Sequence, residues 1–228
     1  MSSTYQAIAR QIEVRSLRLL GAFHPRPEDA VPPGPDGPCQ TLILIGNVGD
    51  AMWRAFAACR PVGDNPLDQW SRSEIGALAR TLGGHLLLPS DGPPWRPFQR
   101  WARRGGAYHP SPIGILIHPD YGLWHAFRGA LAFSRKIRLP ARDRRPSPCE
   151  SCPDKPCLGG CPVDAFATGV YDVPACTGWL AGDKDGATGP NCLARGCAAR
   201  RACPVGRDHV YRAEQAGHHM AAFLNAHK

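Results

Sequence analysis

The sequence predicts an α+β protein in two modules, a sheet-and-helix module over residues 1–140 followed by a small cysteine-dense module over residues 141–228. Three observations carry that prediction. Before residue 140, short apolar runs of strand type alternate with stretches whose apolar residues recur every three or four positions, the pattern of helices packed on a sheet. Residues 141–148 (ARDRRPSP) are polar, basic and proline-bearing, the composition of a boundary between modules. Beyond that boundary, eight of the ten cysteines fall between Cys149 and Cys203.

The elements follow in order. Ser3 and Gln6 have capping-box spacing, and Tyr5, Ile8, Ala9 and Ile12 share one helix face, with Gly21 as the expected stop. Residues 24–40 are dense in proline and glycine and read as an irregular connection. The run TLILI at 41–45 has the pattern of a strand covered on both faces. It leads through a glycine-bearing turn into a helix over 51–59, with Asp50 as N-cap. That turn lacks both the G-x-G-x-x-G pattern and a Lys-Ser/Thr ending, which argues against a nucleotide loop. Ser71 and Glu74 open a helix whose Ile75, Leu78, Ala79 and Leu82 line one face, and Gly83 ends it. A strand at 85–88 and an amphipathic piece at 98–102 come next, with Trp95 and Trp101 expected in the core. The apolar run at 113–118, the turn at 119–122 and the alternating stretch at 123–133 read as a hairpin with a bulge at Gly129. A terminal helix is expected over 208–227, with Val210, Ala213, Met220 and Leu224 near one face and His218 and His219 at the surface.

The formal charge of +8 is carried mostly by arginine. It favours an acidic partner: an electron-donor protein, a phosphate-bearing cofactor or nucleic acid. Arg10, Glu13, Arg15 and Arg18 interrupt the apolar positions near the N-terminus, so no signal-peptide core is expected there, and no uncharged run is long enough to span a bilayer. The expected location is cytoplasmic, with no membrane partner.

The cysteine segment carries the chemistry. Cys149, Cys152, Cys157, Cys161 and Pro162 form C-x2-C-x4-C-x3-C-P, and the segment closes on a second Cys-Pro pair at Cys203 and Pro204. This is the grammar of bacterial 4Fe-4S ferredoxin runs, in which the cysteine before proline serves the other cluster. Applied here, one cluster takes Cys149, Cys152, Cys157 and Cys203, and the other takes Cys161, Cys176, Cys192 and Cys197. Two complete sets of four thiolates result. Disulfides would need an oxidising compartment. A pair of four-cysteine zinc sites is the stronger competitor, although only Cys149 and Cys152 make a C-x2-C knuckle. Arg195, Arg200, Arg201 and Arg207 lie among the last ligands, where they either offset cluster charge or form a solvated basic loop. Cys39 and Cys59 lie outside every spacing and read as small hydrophobes.

The order of parts, with an isolated cysteine in Ala-Cys-Thr-Gly-Trp-Leu and a final cysteine trio, resembles the epoxyqueuosine reductase and cobalamin-dependent reductive dehalogenase family. The stretch from Gly114 to Trp124 looks like that family's apolar strand, His-Pro-Glu-Tyr-Gly turn and following aromatic strand. The likeness runs from about residue 90 to 204. It implies a nitroreductase-like, cobalamin-chaperone-like first module that binds a corrinoid, with Gly114, Tyr121 and Trp124 as its contacts, and a ferredoxin-like second module that feeds it electrons. The departures are specific. The second cysteine gap is four where the family has two, and the last trio is wider than the family's. Ser90-Asp91-Gly92-Pro93-Pro94 stands where the reductases carry a catalytic Asp-Ser-Ala-Pro, so Asp91 is given no catalytic role. No Asp-x-His-x-x-Gly cobalt-ligand motif occurs, and a corrinoid would be held without a protein histidine. The chain ends soon after its last cluster cysteine, so a tRNA substrate is not expected despite the charge.

Three function classes therefore stand at this point. The first is a cobalamin-linked iron–sulfur reductase or cobalamin-processing protein, receiving electrons from a ferredoxin- or flavodoxin-type donor. The second is a ferredoxin-like carrier or adaptor without cobalamin. The third is a zinc-containing module whose basic face binds nucleic acid.

Overall fold

The apolar run at 41–45 grows into a central strand of the main sheet. The computed structural model describes residues 4–182 and 189–227. Its elements are α1 (Tyr5–Glu13), β1 (Arg18–Phe23), β2 (Thr41–Val48), α2 (Ala51–Ala58), α3 (Pro66–Leu82), β3 (His85–Leu87), α4 (Phe98–Gly105), β4 (His109–Pro110), β5 (Leu116–Ile117), β6 (His125–Phe133), α5 (Pro156–Gly159), α6 (Val173–Gly182), α7 (Cys192–Arg195), α8 (Ala198–Ala202) and α9 (Ala213–Ala226). They form two units. One runs to Ala107 and adds His125–Arg144; the other joins Tyr108–Trp124 to the chain from Arg145 onward. The division differs from 1–140 and 141–228 by that excursion. Its cause is apolar: Ile113, Ile117 and Leu123 pack with Cys157, Phe166, Ala199 and Cys203.

In the first unit the sheet order is β1-β2-β6-β3, antiparallel throughout. On one face Ile43 and Ile45 of β2 and Leu131 and Phe133 of β6 pack under Ile8 and Ile12 of α1, Met52 and Phe56 of α2, and Trp70, Ile75 and Leu78 of α3. Leu42 and Leu44 on the other face are equally buried, and α4 packs on β1 and β2. A strand apolar on both faces is therefore covered on both faces, as its pattern demands. Thr41 Oγ1 ties the sheet edge down by donating to Arg135 O and accepting from Ile137 N–H.

Several elements differ from expectation. Ser3 lies outside the described residues; Thr4 caps α1 by accepting from Ala7 N–H at 3.2 Å. Gly21 does not stop that helix but lies in β1, beside a register shift between Leu19 and Gly21. Ser71 does not open α3, which starts at Pro66, a residue preset for a first helical turn. Ser71 instead donates to Leu67 O at 2.7 Å, and Glu74 accepts from Arg15 at 2.6 Å. Gly83 does end α3, in the left-handed conformation at φ 63°. Asp50 holds the N-cap position of α2 without a capping hydrogen bond, its carboxylate 3.6 Å from Arg54.

The expected hairpin over 113–133 does not form. The turn at 119–122 does close, through mutual backbone hydrogen bonds between His118 and Gly122, but Leu116–Ile117 pairs with His109–Pro110, and β6 inserts between β2 and β3. Gly129 does flank a bulge: Ile45 faces Gly129 and Gly46 faces Phe127, leaving Arg128 as the extra residue, with its Nε donating to Asn47 Oδ1. Trp101 is buried, its N–H donating to Asp29 O at 2.8 Å, whereas Trp95 is 67% exposed. Asp29 also accepts from Arg104 at 3.0 Å and from Arg26 N–H, which orders part of the proline-rich connection. Cys39 sits beside Thr41 O, and burial pushes its thiol up to about 11; Cys59 is exposed rather than packed inside. The terminal helix begins at Ala213 and buries Gln215 and Ala216, not the four apolar residues read from its pattern.

Two outcomes follow. A Cβ at Gly46 would collide with the Ala126 carbonyl and lie 2.6 Å from Leu20 Cδ1, so Gly46→Ala is expected to cost about 3 kcal/mol or more in urea unfolding. Burial tends to raise the Asp91 pKa, but hydrogen bonds from Arg72 and Leu88 N–H, with the charges of Arg72 and Arg96, hold it below the usual carboxylate value. A depressed carboxyl stabilises the fold above the unfolded pKa and loses that contribution as pH falls through the folded one. Asp91→Asn is therefore expected to unfold at lower temperature than the parent near neutrality, with the gap closing below about pH 4; a gap that widens on acidification would contradict the assignment.

Candidate metal centre

Each cysteine of the 149–203 segment is placed by a short, locally satisfied piece of chain. Cys149 N–H donates to Ser147 Oγ at 3.3 Å, starting the turn that carries Cys152. Cys157 lies in α5, which Pro156 opens. Ala165 N–H points at Cys161 Sγ, 3.4 Å away. Cys176 is in α6, behind Asp172, which accepts from Ala175 N–H at 2.9 Å. Cys192 begins α7 under the Asn191 cap, and Gly196 breaks that helix at φ 89°. Cys197 and Cys203 are the N-cap and C-cap of α8. Cys157, Cys192 and Cys203 are buried and the other five are half-buried; no disulfide links the described cysteines.

The electrostatics sort these thiols. Burial is the main cause raising the Cys149 and Cys157 pKa values, and Cys203 and Cys152 add to both; Cys157 also responds to Cys149. Cys203 is raised by burial and by Cys152, with Arg207 and Val205 N–H working against the shift. Separately, Cys176 is raised by burial and by Cys161, against a hydrogen bond from the Tyr171 hydroxyl. Cys197 is pushed up to about 11 by burial, with Cys192, Cys176 and Cys161 adding to it and Arg200 N–H opposing. Burial and the neighbouring Cys176, Cys197 and Cys161 likewise raise the Tyr171 phenol. The couplings thus run within 149/152/157/203 and within 161/176/192/197.

An aromatic stack lies beside Cys176, whose thiol the Tyr171 hydroxyl reaches. Tyr171 stacks on Phe166 at 4.8 Å and on Phe223 of α9 at 6.0 Å. Arg200 spans a buried pair, its guanidinium 4.7 Å from the Trp124 ring and 4.6 Å from the Tyr211 ring, and donates to Leu123 O. Sequence reading missed this cage because Trp124 and Tyr211 lie far from Arg200 along the chain. Arg201 donates to Arg195 O, and both of these side chains are exposed.

Gly114, Tyr121 and Trp124 fare differently. Gly114 is exposed, with open space where a Cβ would be. Tyr121 stacks on His118 at 4.3 Å and meets His209 edge-on at 5.5 Å. Trp124 is 1% exposed, its ring enclosed by Tyr211 and Arg200. The 118–122 turn is pressed against the chain after the last Cys-Pro: a Cβ on Gly122 would strike Val205 O, and one on Gly206 would strike Tyr121. Asp120 in that turn is gripped by both Arg145 amines, at 2.7 and 2.6 Å.

The donors this unit offers are eight cysteine thiols, a chemistry that thiolate-held iron–sulfur clusters and zinc both accept. Among the described residues no three His, Cys, Asp or Glu side chains are arranged to hold one ion. Arg200 Nε, Trp124 Nε1 and Trp179 Nε1 are buried N–H donors with no acceptor among the described residues.

No family model matches the chain, and no curated protein does. Solved structures do. The epoxyqueuosine reductase from Streptococcus thermophilus aligns with a TM-score of 0.50 at 13% identity, over 89% of this chain and 66% of that one. The Bacillus subtilis epoxyqueuosine reductase, with its catalytic loop swung out of the active site, gives 0.47 at 14% identity over 93% and 61%. The C. elegans B12-trafficking protein CblC gives 0.45 at 17% identity over 63% and 74%. The chain thus shares the α+β fold of the epoxyqueuosine reductase from S. thermophilus.

Proposed function

We propose that the chain is an iron–sulfur redox protein carrying two 4Fe-4S clusters, one held by Cys149, Cys152, Cys157 and Cys203 and the other by Cys161, Cys176, Cys192 and Cys197. The observation that carries this reading is the grouping of eight crowded thiols into two electrostatically coupled sets of four, the same sets that the two Cys-Pro closures predict. Half-buried thiols with raised pKa values repel one another as thiolates, and a bound cluster removes that repulsion.

When bound, the clusters supply one-electron transfer at low potential. The chain supplies the rest. Ala165 N–H, Arg200 N–H and the Tyr171 hydroxyl donate to ligand sulfurs, which spreads thiolate charge and favours the reduced state. Phe166, Tyr171 and Phe223 form an aromatic stack, from which the Tyr171 hydroxyl reaches Cys176. The basic surface suits an acidic donor of the ferredoxin or flavodoxin type.

The acceptor implied by the sequence resemblance is a corrinoid. Of its three carried-over contacts, Trp124 is enclosed by Arg200 and Tyr211, so the three residues do not fit a corrinoid as a set and no step is derived through one. A reductase or cobalamin-processing role with that acceptor, and a plain carrier role without it, differ in one measurement given below.

Anaerobically purified protein is expected to contain about eight iron and eight acid-labile sulfide per chain. Cys203→Ser should lose about half of both, while Cys59→Ser keeps the full complement. Zinc at about two per chain without sulfide would overturn the reading and favour the zinc module. Adding cobalamin to the reduced protein separates the two roles: a changed corrinoid spectrum selects the cobalamin-linked one, and an unchanged spectrum selects the carrier. Stripping the clusters should also lower the unfolding temperature of the protein, because the ligands hold metal only in the folded state.

A further inference from the structure

Cys197 and Cys203 belong to different candidate clusters, yet one five-residue helix carries both as its caps. Six residue steps separate them, on the order of 9 Å along a helix. Arg200 stands midway. Its own N–H donates to Cys197 sulfur and its carbonyl accepts from Cys203 N–H at 3.3 Å, so its backbone touches one ligand of each set. Its side chain is fixed from two chain segments, through Leu123 O and the Trp124 face on one and the Tyr211 face on the other. Trp124 and Tyr211 are themselves buried and in edge contact at 5.4 Å. A guanidinium between two desolvated aromatic faces is held in place far more firmly than an exposed arginine, and its planar fork cannot be copied by lysine.

Resting on the two-cluster reading above, we infer that Arg200 is the positioning residue that sets the separation and relative orientation of the two clusters, by locking α8 against the Trp124–Tyr211 pair. In the transfer it serves, one electron leaves the reduced cluster of one set and reduces the oxidised cluster of the other; no proton or group moves with it. The external one-electron donor restores the first cluster. Arg201, one residue on, donates to Arg195 O and is exposed, so it shares the charge but not the anchoring.

The test uses the full chain with its clusters in place and reads the magnetic interaction between the two reduced clusters by electron paramagnetic resonance, beside iron and sulfide content. Arg200→Gln and Arg200→Lys are both expected to change the interaction pattern, the lysine variant less, because lysine keeps the charge and loses the planar stack. Arg201→Gln should leave it as in the parent. Identical interaction spectra in Arg200→Gln and the parent, at equal iron content, would overturn the inference. Should Arg200→Gln fail to hold its clusters, both sets must be lost together, about eight iron, for the inference to stand; loss confined to one set sinks it. A parent protein without iron or sulfide is a different result, and refutes the two-cluster reading itself.

Discussion

Eight thiols crowded into one small unit impose the constraint on which the rest of that unit depends. A buried thiolate is costly, and several close together are costlier still, so the segment offers sulfur atoms N–H and O–H donors. The local devices answer that demand one at a time. Pro156 and Asn191 start two very short helices, Gly196 breaks one of them, and Ala165 and Arg200 turn their backbone N–H groups toward sulfur. None of these helices is long enough to be stable alone, so side-chain packing holds them.

The apolar part of this unit is correspondingly small and is shared with the cysteines. Cys157 and Cys203 are members of the same packed cluster as Ile113, Ile117, Leu123 and Phe166. The excursion Tyr108–Trp124 exists to complete that cluster, and the glycines at 122 and 206 let its turn approach the chain after the last cysteine. The first unit is built in the opposite way, around a β2 strand with both faces covered and a core of isoleucine, leucine, phenylalanine and tryptophan.

Arginine is used for three distinct purposes. Arg104 and Arg72 hold carboxylates that order loops, Arg145 grips the 118–122 turn through Asp120, and Arg200 is locked between aromatic faces. Arg195 and Arg201 are exposed.

The sequence by itself determined the α+β class, the doubly covered strand at 41–45, the stop of α3 at Gly83 and the bulge beside Gly129, because each rests on local periodicity or a single backbone requirement. It misread Gly21 as a helix stop, Ser71 as a cap and 113–133 as a hairpin. Their conformations follow from partners distant in sequence: β2 for Gly21, Leu67 and the Pro66 start for Ser71, and β2 and β3 for β6. Tertiary structure alone decided that Trp124 is enclosed rather than presented, that Arg200 rather than its neighbours is caged, and that one short helix is capped by Cys197 and Cys203. Those are contacts between segments many residues apart, and pattern along the chain carries no record of which apolar or charged side chain will meet which.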